Sequence, residues 1–110
     1  MGKSTYQALT IITSELTLLE VLVGPLKTGN KGLENDFRAL LNAPEVSMIA
    51  ITQDVLERAA NLRATVGLKT PAAIHAATAL LAGCALLVTN DPACKLVAGL
   101  PIGLLSKAHP

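Results

Sequence analysis

The apolar positions of this chain fall into short β-branched runs separated by longer stretches in which they recur every three or four residues. Residues 9–13, Leu-Thr-Ile-Ile-Thr, are brief and β-branched, the mark of a strand. Ser14 then stands where a helix cap belongs, with Glu15 in the first turn, where the helix dipole favours an acid. That helix is expected to reach about Val23 and to stop at Gly24-Pro25. Leu16, Leu19, Leu22 and Val23 form its apolar stripe, and Glu20 comes one turn after Leu16 on the same side. Gly29-Asn30 reads as a turn, followed by a helix from about Lys31 to Leu41 with Leu33, Phe37, Leu40 and Leu41 facing the core.

Residues 46–51 predict a second strand, and Thr52 caps a helix over residues 53–65. Val55, Leu56, Ala59, Leu62 and Val66 fall at helical spacing there, and Gly67 ends the pattern. Thr70-Pro71 has the favoured order of cap and then first-turn proline. The helix it opens, over residues 72–82, is nearly all Ala, Leu and Ile, so it is expected to be buried on several sides. Residues 86–88 are an unbroken apolar strand, as found in parallel sheets covered on both faces. Residues 91–98 suit a short helix, residues 102–105 a last strand, and residues 3–8 the end of a helix. Strand and helix alternate throughout, which predicts an α/β class with a mainly parallel sheet. Neither linker nor repeat interrupts the 110 residues, so residues 1–110 are expected to form a single domain.

Composition narrows the function. With 51% hydrophobic residues the chain is not intrinsically disordered. One Phe, one Tyr and no Trp argue against an aromatic stacking platform for single-stranded nucleic acid. A formal charge of +1 excludes a broad basic face that grips phosphate by charge alone. Cys84 and Cys94 lack CxxC spacing, and His75 and His109 are the only histidines, so a disulfide framework and a zinc site are both disfavoured. Reduced, buried thiols fit a cytoplasmic protein. The N-terminus lacks the apolar core of a secretory signal. Residues 70–90 carry no formal charge, but Pro71, His75, Thr78 and Gly83 interrupt them, so they are expected to form a helix and a strand rather than a membrane span.

Ligands of open α/β sheets bind beyond the C-terminal ends of the strands. That rule selects residues 13–20, 52–54 and 89–91, where carboxylates from different strand ends can converge on a hard cation such as Mg²⁺. Glu20 and Asp91 are the candidates. Taken singly, Glu20 reads equally as the edge of an amphipathic helix, and Asp91 as a turn-former or cap before Pro92. His75 reads as a satisfied, semi-buried histidine, and Asp54 and Glu57 as solvated helix acids. No phosphate-binding glycine loop and no Ser-His-Asp or Cys-His order with suitable spacing is present.

Three blocks add to this reading: Ser14-Glu-Leu-Thr-Leu-Leu-Glu20-Val-Leu, Lys69-Thr-Pro-Ala-Ala-Ile-His75-Ala-Ala-Thr-Ala-Leu, and Leu87-Val-Thr-Asn-Asp91. In order and spacing they resemble the successive blocks of a PIN domain, the fold of the VapC-type toxins of bacterial toxin–antitoxin pairs. The resemblance covers nearly the whole chain from about Leu9. It implies a three-layer α/β fold and a divalent-metal-dependent endoribonuclease, a hydrolase in which a few acidic residues hold Mg²⁺ or Mn²⁺. Carried onto this chain, Glu20 and Asp91 are the implied catalytic metal ligands, and Thr89 and Asn90 the residues implied to contact the phosphate of RNA. In an active member a metal-bound water would attack phosphorus in line.

Two family acids have no counterpart. Ala72 stands where the family normally has Asp, and the first family acid lies on a strand well upstream of residues 9–13, whereas only eight residues precede Leu9. The first family strand is therefore expected to be missing, and the nuclease weakened or inactive. Because that strand is central in the family, its loss predicts a gap or unpaired edges in the sheet, with self-association into a homo-oligomer or a rearranged sheet. The alternative to a weakened ribonuclease is a non-enzymatic PIN-like domain that binds an antitoxin or another PIN subunit.

Overall fold

The computed structural model describes residues 11–83, 86–89, 91 and 102–104. Strand β1 (Ile11–Ser14) leads directly into helix α1 (Glu15–Thr28), which is followed by α2 (Lys31–Leu41) and β2 (Val46–Ile49). Helices α3 (Gln53–Thr65) and α4 (Thr70–Ala82) come next, then β3 (Leu86–Thr89) and β4 (Ile102–Leu104). The strands form one parallel sheet in the order β2-β1-β3-β4. The α/β class with a parallel sheet is thus as expected. The helix suggested for residues 3–8, most of the one suggested for residues 91–98, and Cys84 and Cys94 lie outside the described residues.

Side chains alternate faces along a strand, and here each face meets its own helices. Ile12 of β1 and Leu87 of β3 join a core with Val55, Ala59 and Leu62 of α3 and the alanines of α4. Met48 of β2 and Val88 of β3 turn the other way, onto Val21 and Leu22 of α1 and Leu41 of α2. Three layers result, with the sheet in the middle. The small side chains of α4 bring its backbone close to its neighbours, and every residue from Ala72 to Ala79 is buried.

The sheet has no opening beside β1. Its residues Ile11 and Ile12 pair directly with Leu86 and Leu87, while Ile11–Ser14 pair with Val46–Ile49 on the other side. Strands β1 and β3 therefore meet directly, without the gap that was one of the expectations.

Local signals placed most element ends. Ser14 Oγ accepts from Leu16 N, Asn30 Oδ1 from Leu33 N, and Thr52 Oγ1 from Val55 N, each satisfying a first-turn amide that has no helical partner. Three details differ from expectation. Helix α1 passes through Gly24-Pro25 and ends only at Gly29, whose φ of 70° is left-handed. A proline inside a helix forfeits one hydrogen bond, but the Pro25 ring is buried and its carbonyl accepts from both Gly29 N and Asn30 N, which secures the last turn. Helix α4 takes Lys69 as its cap with no side-chain bond, because the Thr70 hydroxyl instead accepts from Arg63 Nη1 at 3.0 Å. Strand β2 ends at Ile49, short of its anticipated end.

The apolar stripes are also narrower than the spacing suggested. On α1 the buried residues are Thr17, Val21, Leu22 and Pro25, while Leu19 and Val23 are 62% and 49% exposed. Leu40 of α2, Leu56 of α3 and Val66 beyond it face solvent too. Each of these helices packs on one side only, so the apolar residues a quarter-turn off the contact line stay outside. Among the described residues no helix is long and apolar enough to cross a membrane.

Candidate functional site

The C-terminal ends of β1 and β3 lie side by side, and a side-chain bond joins them there. At the end of β1, Thr13 and Ser14 are fully buried, as is Thr17 one turn into α1. Thr13 Oγ1 donates to the carbonyl of Val88 in β3 at 2.7 Å and lies 2.8 Å from Thr17 Oγ1. A hydroxyl has one proton to give, so the Thr17 hydroxyl donates back to Thr13. This chain of bonds ties β1, α1 and β3 together where the strands end. The strand-end rule had selected residues 13–20 but singled out neither threonine, since nothing local distinguishes them from Ser14 and Glu15 beside them.

Glu20 projects from the next turn of α1, and its side chain is about one quarter exposed. Its Oε1 lies 2.9 Å from Nε2 of His75 on α4, fifty-five positions away in the chain. His75 is fully buried, and its Nδ1 has no hydrogen-bond partner among the described residues. A carboxylate oxygen only accepts, so the proton of this bond sits on Nε2. The semi-buried histidine expected from the sequence is thus fully buried, with Nε2 satisfied by Glu20.

Ala72, one helical turn before His75, is also buried, so a methyl group fills the position where the resemblance calls for an acid. Glu15, the first-turn acid of α1, accepts from the backbone N–H of Ile51 at 3.3 Å and braces the end of β2. Thr89 is fully buried, and its hydroxyl accepts from the backbone N–H of Asp91 at 3.2 Å. That turn bond, a serine/threonine type of local bridge, fixes the backbone of half-buried Asp91. Asn90 lies outside the described residues.

A profile of the PIN domain family matches residues 3–100. The chain belongs to the PIN domain family. A solved structure, a toxin–antitoxin complex from Klebsiella pneumoniae, contains a chain similar to this one at 36% identity. The likeness spans 82% of this chain and 69% of that one, with a TM-score of 0.60. No curated protein matches.

PIN domains use divalent metals, and this corner is poorly furnished for one. Magnesium requires near-octahedral oxygen coordination and releases its waters reluctantly. Among the described residues no group of three or more His, Cys, Asp or Glu side chains comes together to hold an ion. One oxygen of Glu20 is already engaged by His75, and Ala72 contributes no donor. The described residues therefore do not fit a tightly held cation as they stand.

Proposed function

We propose that this PIN domain is of the toxin–antitoxin type and descends from a Mg²⁺- or Mn²⁺-dependent endoribonuclease whose activity on RNA is impaired in this chain. Glu20 and Asp91 are the remaining acids of that ancestral site, with Thr89 and Asn90 beside the position for RNA phosphate. The observation that carries the reading is the occupied state of Glu20: its carboxylate is bonded to a buried histidine, while the neighbouring acid position is Ala72. Each missing charge-stabilising contact removes roughly 10²–10³ in rate, so two such losses bring cleavage near background.

A second reading has its own support. The similar chain from Klebsiella pneumoniae comes from a toxin–antitoxin complex, and this chain exposes Leu19, Val23 and Leu26 at helical spacing along α1. Such a stripe suits an antitoxin partner, which makes partner binding the function that survives when cleavage is lost.

The test is cleavage of a mixed RNA pool with Mn²⁺ by the wild-type chain, Glu20→Gln and Ala72→Asp. The wild type is expected to cut no faster than Glu20→Gln. If the wild type cuts and Glu20→Gln does not, the site is competent and impairment is wrong. Cleavage by Ala72→Asp alone identifies a nuclease disabled at that one position. Silence from all three in folded samples leaves partner binding as the function.

A further inference from the structure

Deepening the reading of Glu20 as an ancestral metal acid, we infer that His75 is a built-in clamp for Glu20, holding the carboxylate oxygen that an ion would otherwise take. The corner is thereby assembled without a cation. Geometry carries this. The Nε2–Oε1 contact is 2.9 Å and joins α1 to α4, helices from the two opposite layers of the fold. The imidazole is fully buried, and its other nitrogen has no partner among the described residues. Glu20 is thus the only polar partner of the ring among the described side chains.

The asymmetry of hydrogen-bond energetics follows directly. A bond between two satisfied groups adds modestly to stability, but a buried polar group stripped of its partner bears the full cost of its lost hydration. An ion that displaced the ring from Oε1 would leave a buried imidazole with neither nitrogen bonded among the described residues. Competition from His75 therefore lowers the affinity of a divalent cation for that oxygen, and for any two-oxygen grip on Glu20, by about tenfold or more. Ala72 reinforces the effect, since no second carboxylate one turn away helps an ion displace the ring. His75 acts through Glu20, as a positioning residue.

Two measurements on the chelator-treated full chain test the clamp, and neither uses RNA, so the outcome is separate from that of the cleavage assay. The first is a double-mutant cycle of Glu20→Ala and His75→Leu followed by urea unfolding. Each single substitution is expected to raise the unfolding constant roughly tenfold to a hundredfold, and the double variant to be no worse than the poorer single. Additive effects overturn the clamp. If His75→Leu does not fold, His75→Gln replaces it, because its side-chain amide supplies a donor close to the Nε2 position. Glu20→Ala is then expected to cost as much in that background as in wild type, and no cost in either overturns the proposal.

The second measurement follows the two ring nitrogens of His75 by ¹H–¹⁵N correlation NMR during titration with MgCl₂. A protonated Nε2 is expected, unmoved by millimolar Mg²⁺. Saturable loss of the hydrogen-bonded Nε2–H signal means that the ion displaces the ring, and the clamp is rejected.

Discussion

Glu34 shows how a single buried charge is accommodated on this scaffold. Its carboxylate lies 3.0 Å from Arg38 Nε and 3.5 Å from Lys31 Nζ, both on its own helix. The hydrogen bond from Arg38 holds the Glu34 carboxyl below the usual glutamate range; burial acts in the opposite direction, and Lys31 adds to the lowering. A carboxyl with a lowered pKa in the folded state stabilises the fold above its unfolded pKa, and the contribution is lost as pH falls through the folded value. Glu34→Gln is therefore expected to melt at a lower temperature than wild type near neutral pH, with the gap closing on acidification through the carboxylate range. Melting curves across pH check this, and high salt is expected to shrink the gap because Lys31 and Arg38 are exposed. Such pairs within one helix are visible in the sequence as spacings of three and four. The Glu20–His75 pair is not, because its members are brought together only by the packing of α1 and α4 across the fold.

Helix α1 carries two glycines with opposite roles. Gly24 is a helix-interior residue with open space where a Cβ would sit, so Gly24→Ala is expected to stabilise the protein by about 0.5–1 kcal/mol. Gly29 is left-handed at the helix end, and Gly29→Ala is expected to destabilise it by about 1–2 kcal/mol. Urea midpoints measured side by side distinguish the two. The same helix marks the limit of element-level reading. Its start was legible because Ser14 caps it through a bond two residues long. Its end was not, since Gly24-Pro25 is a stop signal locally and is overridden when the Pro25 ring is buried.

For the molecule as a whole, stability rests on the joining of β1 to β3. Leu87 is fully buried at that seam, opposite Ile12. Leu87→Ala is expected to cost about 2–5 kcal/mol, the range for a buried leucine whose site cannot collapse. Its unfolding midpoint in urea checks this against Leu26→Ala, which removes an exposed side chain and is expected to stay within about 0.5 kcal/mol of wild type.

The sequence by itself determined the alternation of strands and helices, most of their limits, the α/β class, and the three blocks that point to a PIN domain. These are signals carried within a few residues: caps, periodicity, and unbroken apolar runs such as residues 86–88. Only the tertiary structure decided that β1 meets β3 without a strand between them, which stripe of each helix is covered, and that Glu20 is bonded to His75. Each depends on residues far apart in the chain, where the choice of partner is set by the summed packing of three layers and by the cost of leaving a buried polar atom alone.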